Sequence, residues 1–574
     1  MITDKKVENI RSLYQQKKFD RVNRIILQEL ELFNRIVYLN IDEKAENHIE
    51  RFLKFFFEMI LKDDFKIGKF VKHYLSHITL IENITYLSKH ITTQKILDLI
   101  IYENNSETAK ILLLMNLRTV FDFNLLDRLF KSDPVLGSYW VYSLFTRHSF
   151  CNDIVASNLR MLQSKIIDYD LYPFENISSL YFNSTYVDPG NHLKIRKKVN
   201  DTIKKHIKLE GVENLSGNNN VKKIAVISKN WQNNKAVKKC IGAFIKGLSD
   251  DFNLTFVEIE NNNKTVRNDY FKRHLKVKKE GAFLNYSSIK KNDFDLAIFT
   301  DVGLNTESIV LSNLRIAPVQ LSMYGHPVST ASDAMDYFTV GRLSETSNVD
   351  DFYTEKTLMI KGPGMNSIKP AIKRPTFIEK QNSVNKKIIN IYITASLPKI
   401  NPGIRDCWEK ILEKSRHDIV YHLLPGNGGM QEVSALRKDL ELYLGKDNFV
   451  VYKDLDYRGY MDVIKCCDIA IGSYHYGDYN RIIDSLWMGT PVVVVRGDCG
   501  YQNTGVGALK VIGLNELIAD DLDDYINKIL ELIDKRKLRT NLQRKVLALD
   551  ISKKLMNNKL YIEDFNRKIK SLLL

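Results

Sequence analysis

Asn480 and Asp484 stand four residues apart, directly after the glycine-punctuated stretch Ser473-Tyr474-His475-Tyr476-Gly477-Asp478 and before Ser485-Leu486-Trp487-Met488-Gly489-Thr490-Pro491. On a helix that spacing puts both side chains on one face. A carboxylate placed there can accept hydrogen bonds from a ribose diol. Backbone N–H groups at the helix start, with the positive end of the helix dipole, suit a phosphate. Nucleotide binding is the chemistry these residue types point to. The same strand, glycine loop and helix also occur in a plain Rossmann-like core unit, so the motif alone leaves both readings open.

Thr394-Ala395-Ser396-Leu397-Pro398-Lys399-Ile400-Asn401-Pro402 is a second convergence. It follows a predicted strand and enters a helix with Pro402 in its first turn. Lys399, beside a helix terminus, could neutralise charge that builds on a leaving pyrophosphate. The competing reading is a solvated loop lysine. Its placement at a strand's carboxyl end, opposite the Asp484 helix, favours function. Gly325-His326-Pro327 forms a third candidate, a turn after a strand whose carboxyl end gathers polar side chains.

The elements that must position these groups follow from periodicity. From Met1 to about Tyr172 there is one proline, Pro134, and apolar residues recur at three and four residue intervals, so helices are predicted. Stripes such as Phe52, Phe55, Phe56 and Phe57 read as helix-packing core, and no tetratricopeptide period is sustained. A basic helix to about Leu209 and a polar linker from Gly211 to Asn220 close this part. Strands at Lys223–Lys229, Leu254–Ile259 and Asp295–Phe299, with a helix over Ala236–Leu248, then predict a parallel sheet covered on both faces. Gly362 to about Lys387 reads as an inter-domain crossing. A second alternation places strands at Ile388–Thr394, Ile419–Leu424, Phe449–Lys453, Ile469–Gly472 and Val492–Val495, with helices from about Leu522. The predicted domains are therefore an all-α region over 1–215 and Rossmann-like domains over 216–385 and 386–574. The fold class is α/β.

Thr394 to Pro402, Tyr457-Arg458-Gly459-Tyr460 with Cys467-Asp468, Asn480 to Asp484 and Ser308 to Pro327 are similar to motifs of the O-GlcNAc-transferase-like glycosyltransferases, family 41. Within that family the repeat-free helical front end and Tyr186-Val-Asp-Pro-Gly-Asn-His192 resemble the bacterial cytoplasmic N-glycosyltransferases of high-molecular-weight adhesins. Leu486 to Pro491 and Gly513 to Ala519 look more like the O-GlcNAc branch. The resemblance implies a GT-B fold, with the first Rossmann-like domain on the acceptor side and the second on the nucleotide-sugar side. It implies inverting, metal-independent transfer of a hexose, glucose being the one expected, from a UDP-hexose to asparagine in Asn-x-Ser/Thr segments of an unfolded adhesin. The rivals are a Ser/Thr-directed glucosyl- or N-acetylglucosaminyltransferase and a non-catalytic module that binds the acceptor.

Carried over by position, Lys399 matches the family's pyrophosphate lysine and His326 the active-site histidine, both assigned as catalytic. Ser396 matches a donor-contacting threonine, and Asn480 and Asp484 the nucleotide pair. Gly477, Asn427, Asp454 and Arg481 complete the donor-binding set. Asn427 stands where the adhesin enzymes have glutamine, Asp454 where they have histidine, Arg481 where they have glycine and Asn305 where they have another histidine. These departures bear on donor and acceptor choice.

Composition limits the alternatives. The 574 residues carry a formal charge of +15, with lysines spread along the chain, which fits a solvated basic face better than a nucleic-acid arm. The six cysteines form no CxxC pair, so neither a disulfide framework nor a zinc site is expected. Asp454-Leu-Asp456 and Asp293-Phe-Asp295 have Asp-x-Asp spacing, but a lysine plus a helix terminus makes a metal unnecessary, and no cofactor is expected. A charged amino terminus and the lack of a long apolar run predict a cytoplasmic chain with no membrane span.

Overall fold

In the helix Phe19–Arg35 the residues Val22, Ile26, Leu30 and Phe33 are buried, the three and four residue spacing of one helical face. Glu43–Ile60 buries Phe52, Phe55, Phe56 and Phe57 in the same way. Local signals set the ends: the Asp133 carboxylate accepts from Leu136 N at 2.9 Å, and Pro134 opens the helix Pro134–Leu144 where no N–H partner is needed. The computed structural model describes residues 3–35, 43–102, 107–146, 149–187, 190–216, 221–232, 236–260, 268–280, 283–385, 387–426, 429–453 and 455–574.

The chain divides into two compact units. The first is Met1–Asn191 together with Ser396–Arg405 and Pro425–Lys446. Here the helix Met430–Leu444 supplies Asp439, a fully buried carboxylate. Arg118 binds it through two N–H groups, at 3.1 and 2.7 Å, and the Tyr86 hydroxyl donates to it at 2.8 Å. Arg405 donates to Cys151 O at 2.7 Å and pairs with Asp153 at 3.1 Å. Removing Arg118 would strand the buried Asp439 charge, at a cost of about 3–5 kcal/mol.

The second unit is His192–Ala395, Asp406–Leu424 and Asp447–Leu574 and holds two doubly wound sheets. The first has strands β1 (Lys223–Ser228), β2 (Asn253–Ile259), β3 (Arg273–Glu280), β4 (Phe283–Asn285), β5 (Leu296–Phe299), β6 (Val319–Ser322), β7 (Tyr337–Gly341) and β8 (Lys356–Ile360). Their order is β8-β7-β6-β5-β1-β2-β3-β4, parallel except for β4 against β3. The second has β9 (Ile389–Ile393), β10 (Ile419–Leu423), β11 (Phe449–Val451), β12 (Ile469–Ile471), β13 (Val492–Val495) and β14 (Ile518–Ala519) in the order β11-β10-β9-β12-β13-β14. All neighbours in it are parallel, and the run of four valines in β13 is buried throughout, as a strand covered on both faces requires. This is the GT-B fold. Strand order reverses between β1 and β5 in one sheet and between β9 and β12 in the other, and such reversals open a crevice at the strands' carboxyl ends.

Two differences from expectation have local causes. The stretch from Gly362 to Lys387 is more than a crossing. It contains the helix Phe377–Ser383, started by a capping box in which Thr376 and Glu379 satisfy each other's backbone N–H. The buried Lys380 of that helix donates to Lys465 O and Cys467 O, both at 2.6 Å, and to Thr490 Oγ1 at 2.8 Å. Strands β3, β4, β7, β8 and β14 also lie beyond the expected set, β3 because its sequence, Arg-His-Leu-Lys-Val-Lys-Lys-Glu, is mostly charged. Part of the linker expected over Gly211–Asn220, residues 217–220, lies outside the described residues.

Candidate functional site

The reversal between β9 and β12 is built by Asp478. Its Oδ2 accepts from Thr394 Oγ1 at 3.1 Å and also from Ser473 Oγ, so one buried carboxylate ties together the chain leaving β9 and the chain leaving β12. Gly477 precedes it, donating its N–H to Tyr501 O at 3.0 Å. A Cβ on Gly477 would fall 2.2 Å from Thr504 Oγ1 and 2.9 Å from Gln502 O, a space only glycine fits.

The helix Tyr479–Trp487 begins at this point and carries Asn480, Arg481 and Asp484. Tyr457 donates to Asp484 Oδ1 at 3.0 Å and Tyr460 to Oδ2 at 3.2 Å. These tyrosines are three apart on the helix Tyr457–Cys466 and so share a face. Burial pushes the Asp484 carboxyl up, opposed by the positive charge of Lys239, by the two tyrosine hydroxyls and by Arg481. Lys239 comes from the helix Ala236–Leu248, with its ammonium 4.7 Å from the centre of the Tyr457 ring. The next residue on that helix, Cys240, donates through Sγ to Asn480 Oδ1 at 3.3 Å. Asn480 and Asp484 thus share a face, as expected, and it is the face met by the helix Ala236–Leu248. Arg481 turns to the β9 side, donating to Ala395 O at 3.0 Å.

His326 is buried, with its Nδ1 and Nε2 at 3.2 and 3.3 Å from Arg196 Nη2. Arg196, itself fully buried on the helix His192–His206, also donates to Val328 O at 3.2 Å and Ser329 O at 2.6 Å, fixing the turn that presents the histidine. The imidazole lies against the Tyr476 ring, with centroids 6.3 Å apart. His326 is therefore brought to the residue before Gly477. At the first sheet's reversal Asp301 is buried and accepts from Asn230 N at 3.0 Å and Asn230 Nδ2 at 2.9 Å. Asn305 caps the helix Thr306–Ser312, accepting from Ser308 N at 2.8 Å.

Ser396 and Lys399 lie in the other compact unit, Ser396 capping and Lys399 ending the short turn Leu397–Lys399. Lys399 N donates to Ser396 O at 2.9 Å. Asn427 and Asp454 lie outside the described residues. Among the described residues no group of three or more His, Cys, Asp or Glu could hold a metal ion. No helix among them is long and apolar enough to cross a membrane.

Sequence reasoning missed Asp478, Lys239, Asp301 and the partnership of Tyr457 and Tyr460 with Asp484. The paired tyrosine spacing carried a signal for the last. Nothing in the sequence places Lys239, which lies on the distant helix Ala236–Leu248, beside Asp484.

Residues 379–565, which include the Gly477 loop and the Asp484 helix, match the model of glycosyl transferase family 41. The match covers that segment, about a third of the chain. The UDP-glucose:protein N-beta-glucosyltransferase of Actinobacillus pleuropneumoniae serotype 5b is 21% identical over 379 residues, 64% of this chain and 60% of the relative. The chain thus matches about 60% of the length of that curated relative. The probable UDP-N-acetylglucosamine–peptide N-acetylglucosaminyltransferase SPINDLY of Eustoma exaltatum is 21% identical over half of this chain and 31% of its own length. Among solved structures, a mutant O-GlcNAc transferase of Thermobaculum terrenum superposes with a TM-score of 0.56 at 16% identity, covering 88% of this chain and 96% of that one. This likeness bears on the fold.

Proposed function

We propose that the protein transfers a hexose, glucose in the first instance, from a UDP-sugar to asparagine in extended Asn-x-Ser/Thr segments of a protein acceptor. The observation that carries this is the crevice residue set at the β9 and β12 reversal, Gly477, Asn480 and Asp484, within the segment that matches family 41. The Actinobacillus pleuropneumoniae relative is named for N-linked glucose transfer from UDP-glucose to protein.

In this reading Asp484 holds the ribose, its charge kept available by Tyr457, Tyr460 and Lys239. The start of the helix Tyr479–Trp487 faces the phosphates. Lys399 neutralises the leaving pyrophosphate and takes the place of a metal. Ser396, Asn427, Asp454 and Arg481 line the donor, and His326 acts on the acceptor side, fixed by Arg196. The acceptor is an unfolded segment, of adhesin type, met in the cytoplasm before export, because extended chain can enter a cleft that folded chain cannot. The likeness to SPINDLY proteins supports a second reading, transfer to a Ser/Thr hydroxyl.

One experiment separates these readings. An Asn-x-Thr peptide, its Asn→Gln version and its Thr→Ala version are incubated with UDP-glucose, UDP-galactose or UDP-N-acetylglucosamine and weighed by mass spectrometry. The expected result is one hexose from UDP-glucose, lost with the asparagine. Modification that survives Asn→Gln and is lost with the hydroxyl replaces the asparagine reading with the O-linked one. UDP binding without transfer to any peptide leaves a binding module.

A further inference from the structure

At the opposite end of strands β9 and β12 from the donor crevice, the second Rossmann-like domain has a cavity of about 220 Å³ lined by Gln381, Asn382, Val384, Asn385, Asp468, Arg536, Arg539, Thr540 and Gln543. Asp468 immediately precedes β12, and Asn385 lies just before β9. The cavity is smaller than the ~300–1,000 Å³ of sites that enclose drug-sized ligands, so it suits a compact group rather than a whole sugar nucleotide.

Several of its polar groups are already committed. Asp468 Oδ2 accepts from Asn390 N at 3.0 Å, and Oδ1 pairs with Arg539 Nε at 3.3 Å. Gln543 donates to Asp468 O at 2.9 Å and accepts from Gln381 at 2.6 Å. Arg539 is 6% exposed, and its Nη1 donates to Leu532 O at 2.6 Å and Ile533 O at 2.8 Å. That leaves its Nη2 without a hydrogen-bond partner among the described residues, as it leaves the Arg536 guanidinium, the Thr540 hydroxyl and the Asn385 amide N–H₂. The one carboxylate of the lining is balanced by Arg539, so Arg536 gives the cavity a net positive charge. Arg536 also opens the helix Arg536–Ala548, whose first-turn N–H groups lack intrahelical acceptors. A fork of guanidinium N–H donors beside a hydroxyl, an amide and a helix start matches the oxygens of a tetrahedral dianion.

We propose that this cavity is a second anion site, which takes a phosphate group, free or carried on a small phosphate monoester, at the amino ends of the strands whose carboxyl ends form the donor crevice. Asp468 anchors the site to the amino end of β9, since the residue that pairs with Arg539 also accepts from Asn390 N. The site is independent of the donor reading, because none of its lining residues belongs to the donor set.

The test is calorimetric titration of the full chain, with UDP saturating so that the donor crevice is not available, using inorganic phosphate, glycerol 3-phosphate, or sodium chloride at matched ionic strength. Saturable binding of phosphate, of the ester, or of both, absent with chloride, is expected, and which of them binds identifies the source of the group. Arg536→Gln and Thr540→Val, both at accessible helix positions and checked for wild-type circular dichroism, should each weaken that binding, Arg536→Gln by at least tenfold. No saturable heat with either phosphate compound, or affinity unchanged in Arg536→Gln, overturns the proposal. Because UDP binding is read separately in the same preparations, failure of this site and failure of the donor site give different results.

Discussion

Tyr457 Oη lies 3.0 Å from Asp484 Oδ1, and the same tyrosine's ring carries the Lys239 ammonium 4.7 Å from its centre. One residue thus gives the carboxylate a hydrogen bond and holds the cation that favours its ionised form. Asp484→Ala is expected to weaken UDP binding by at least tenfold, measured by calorimetry, since a ribose contact acts on ground state and transition state alike. Tyr457→Phe removes one of two donors to a carboxylate whose burial already pushes its pKa up, so it should rise further. Affinity then falls a few-fold at neutral pH, and the acid limb of the UDP binding profile moves to higher pH than in the wild type. Unchanged profiles in both variants would remove Asp484 from the donor site.

Gly477 tests the crevice by shape. Gly477→Ala places a Cβ 2.2 Å from Thr504 Oγ1 and 2.9 Å from Gln502 O, a backbone atom that cannot swing aside. The variant should lose both UDP affinity and thermal stability. Thr504→Ala removes only the nearer clash, so the double variant should recover part of the stability lost by Gly477→Ala. A non-additive cycle of that sign, read by thermal unfolding, is the expected outcome.

Much of this arrangement was legible in the sequence, for stated reasons. Strands β1, β9, β12 and β13 are short apolar runs because both faces of a parallel sheet are covered, and such runs stand out. The Asn480 and Asp484 pair stood out because helical spacing is local information. Strand β3 did not, since only Leu275 and Val277 break its charged run. The capping box of Thr376 and Glu379 marks a helix inside a stretch otherwise rich in proline, lysine and asparagine. Lys239 and Asp484 are 245 residues apart in sequence (484 − 239), and only tertiary packing brings them together. The same holds for Arg196 and His326, because a buried arginine on a lysine-rich helix looks like another solvated cation until the fold is known.

Lys399→Ala should lower turnover more than UDP affinity, because the charge it opposes develops as the pyrophosphate leaves. A single electrostatic stabiliser of this kind is worth about 3 kcal/mol, which is a ~100-fold fall in kcat. Steady-state kinetics with UDP-glucose and the Asn-x-Thr peptide give the comparison. Wild-type kcat in the variant would remove Lys399 from the chemistry.

With the pyrophosphate charge assigned to Lys399 and a helix terminus, transfer should proceed in excess EDTA at the rate seen without it. Activity that is abolished by chelator and restored by Mg²⁺ or Mn²⁺ would overturn the assignment and require a metal at the diphosphate.

Glu82 offers a test of the helical unit through pH. Burial pushes its carboxyl from the usual 4.5 up to about 7, against the opposing pull of Arg118 and a hydrogen bond from Leu117 N, whose length is 3.0 Å. The folded chain therefore holds this proton more tightly than the unfolded chain does. Its contribution to stability is present in full below about pH 4.5 and is lost as pH rises through the folded pKa near 7. At about 1.4 kcal/mol per pH unit, the loss across that window is on the order of 3 kcal/mol. Glu82→Gln has the same shape and no titration. Denaturant unfolding of both proteins from pH 4.5 to 8 should show the stability of wild type minus variant falling between those limits and flat above about pH 7.5. A difference that is flat throughout, or that rises with pH, would mean that Arg118 keeps Glu82 ionised in the folded chain across the whole range.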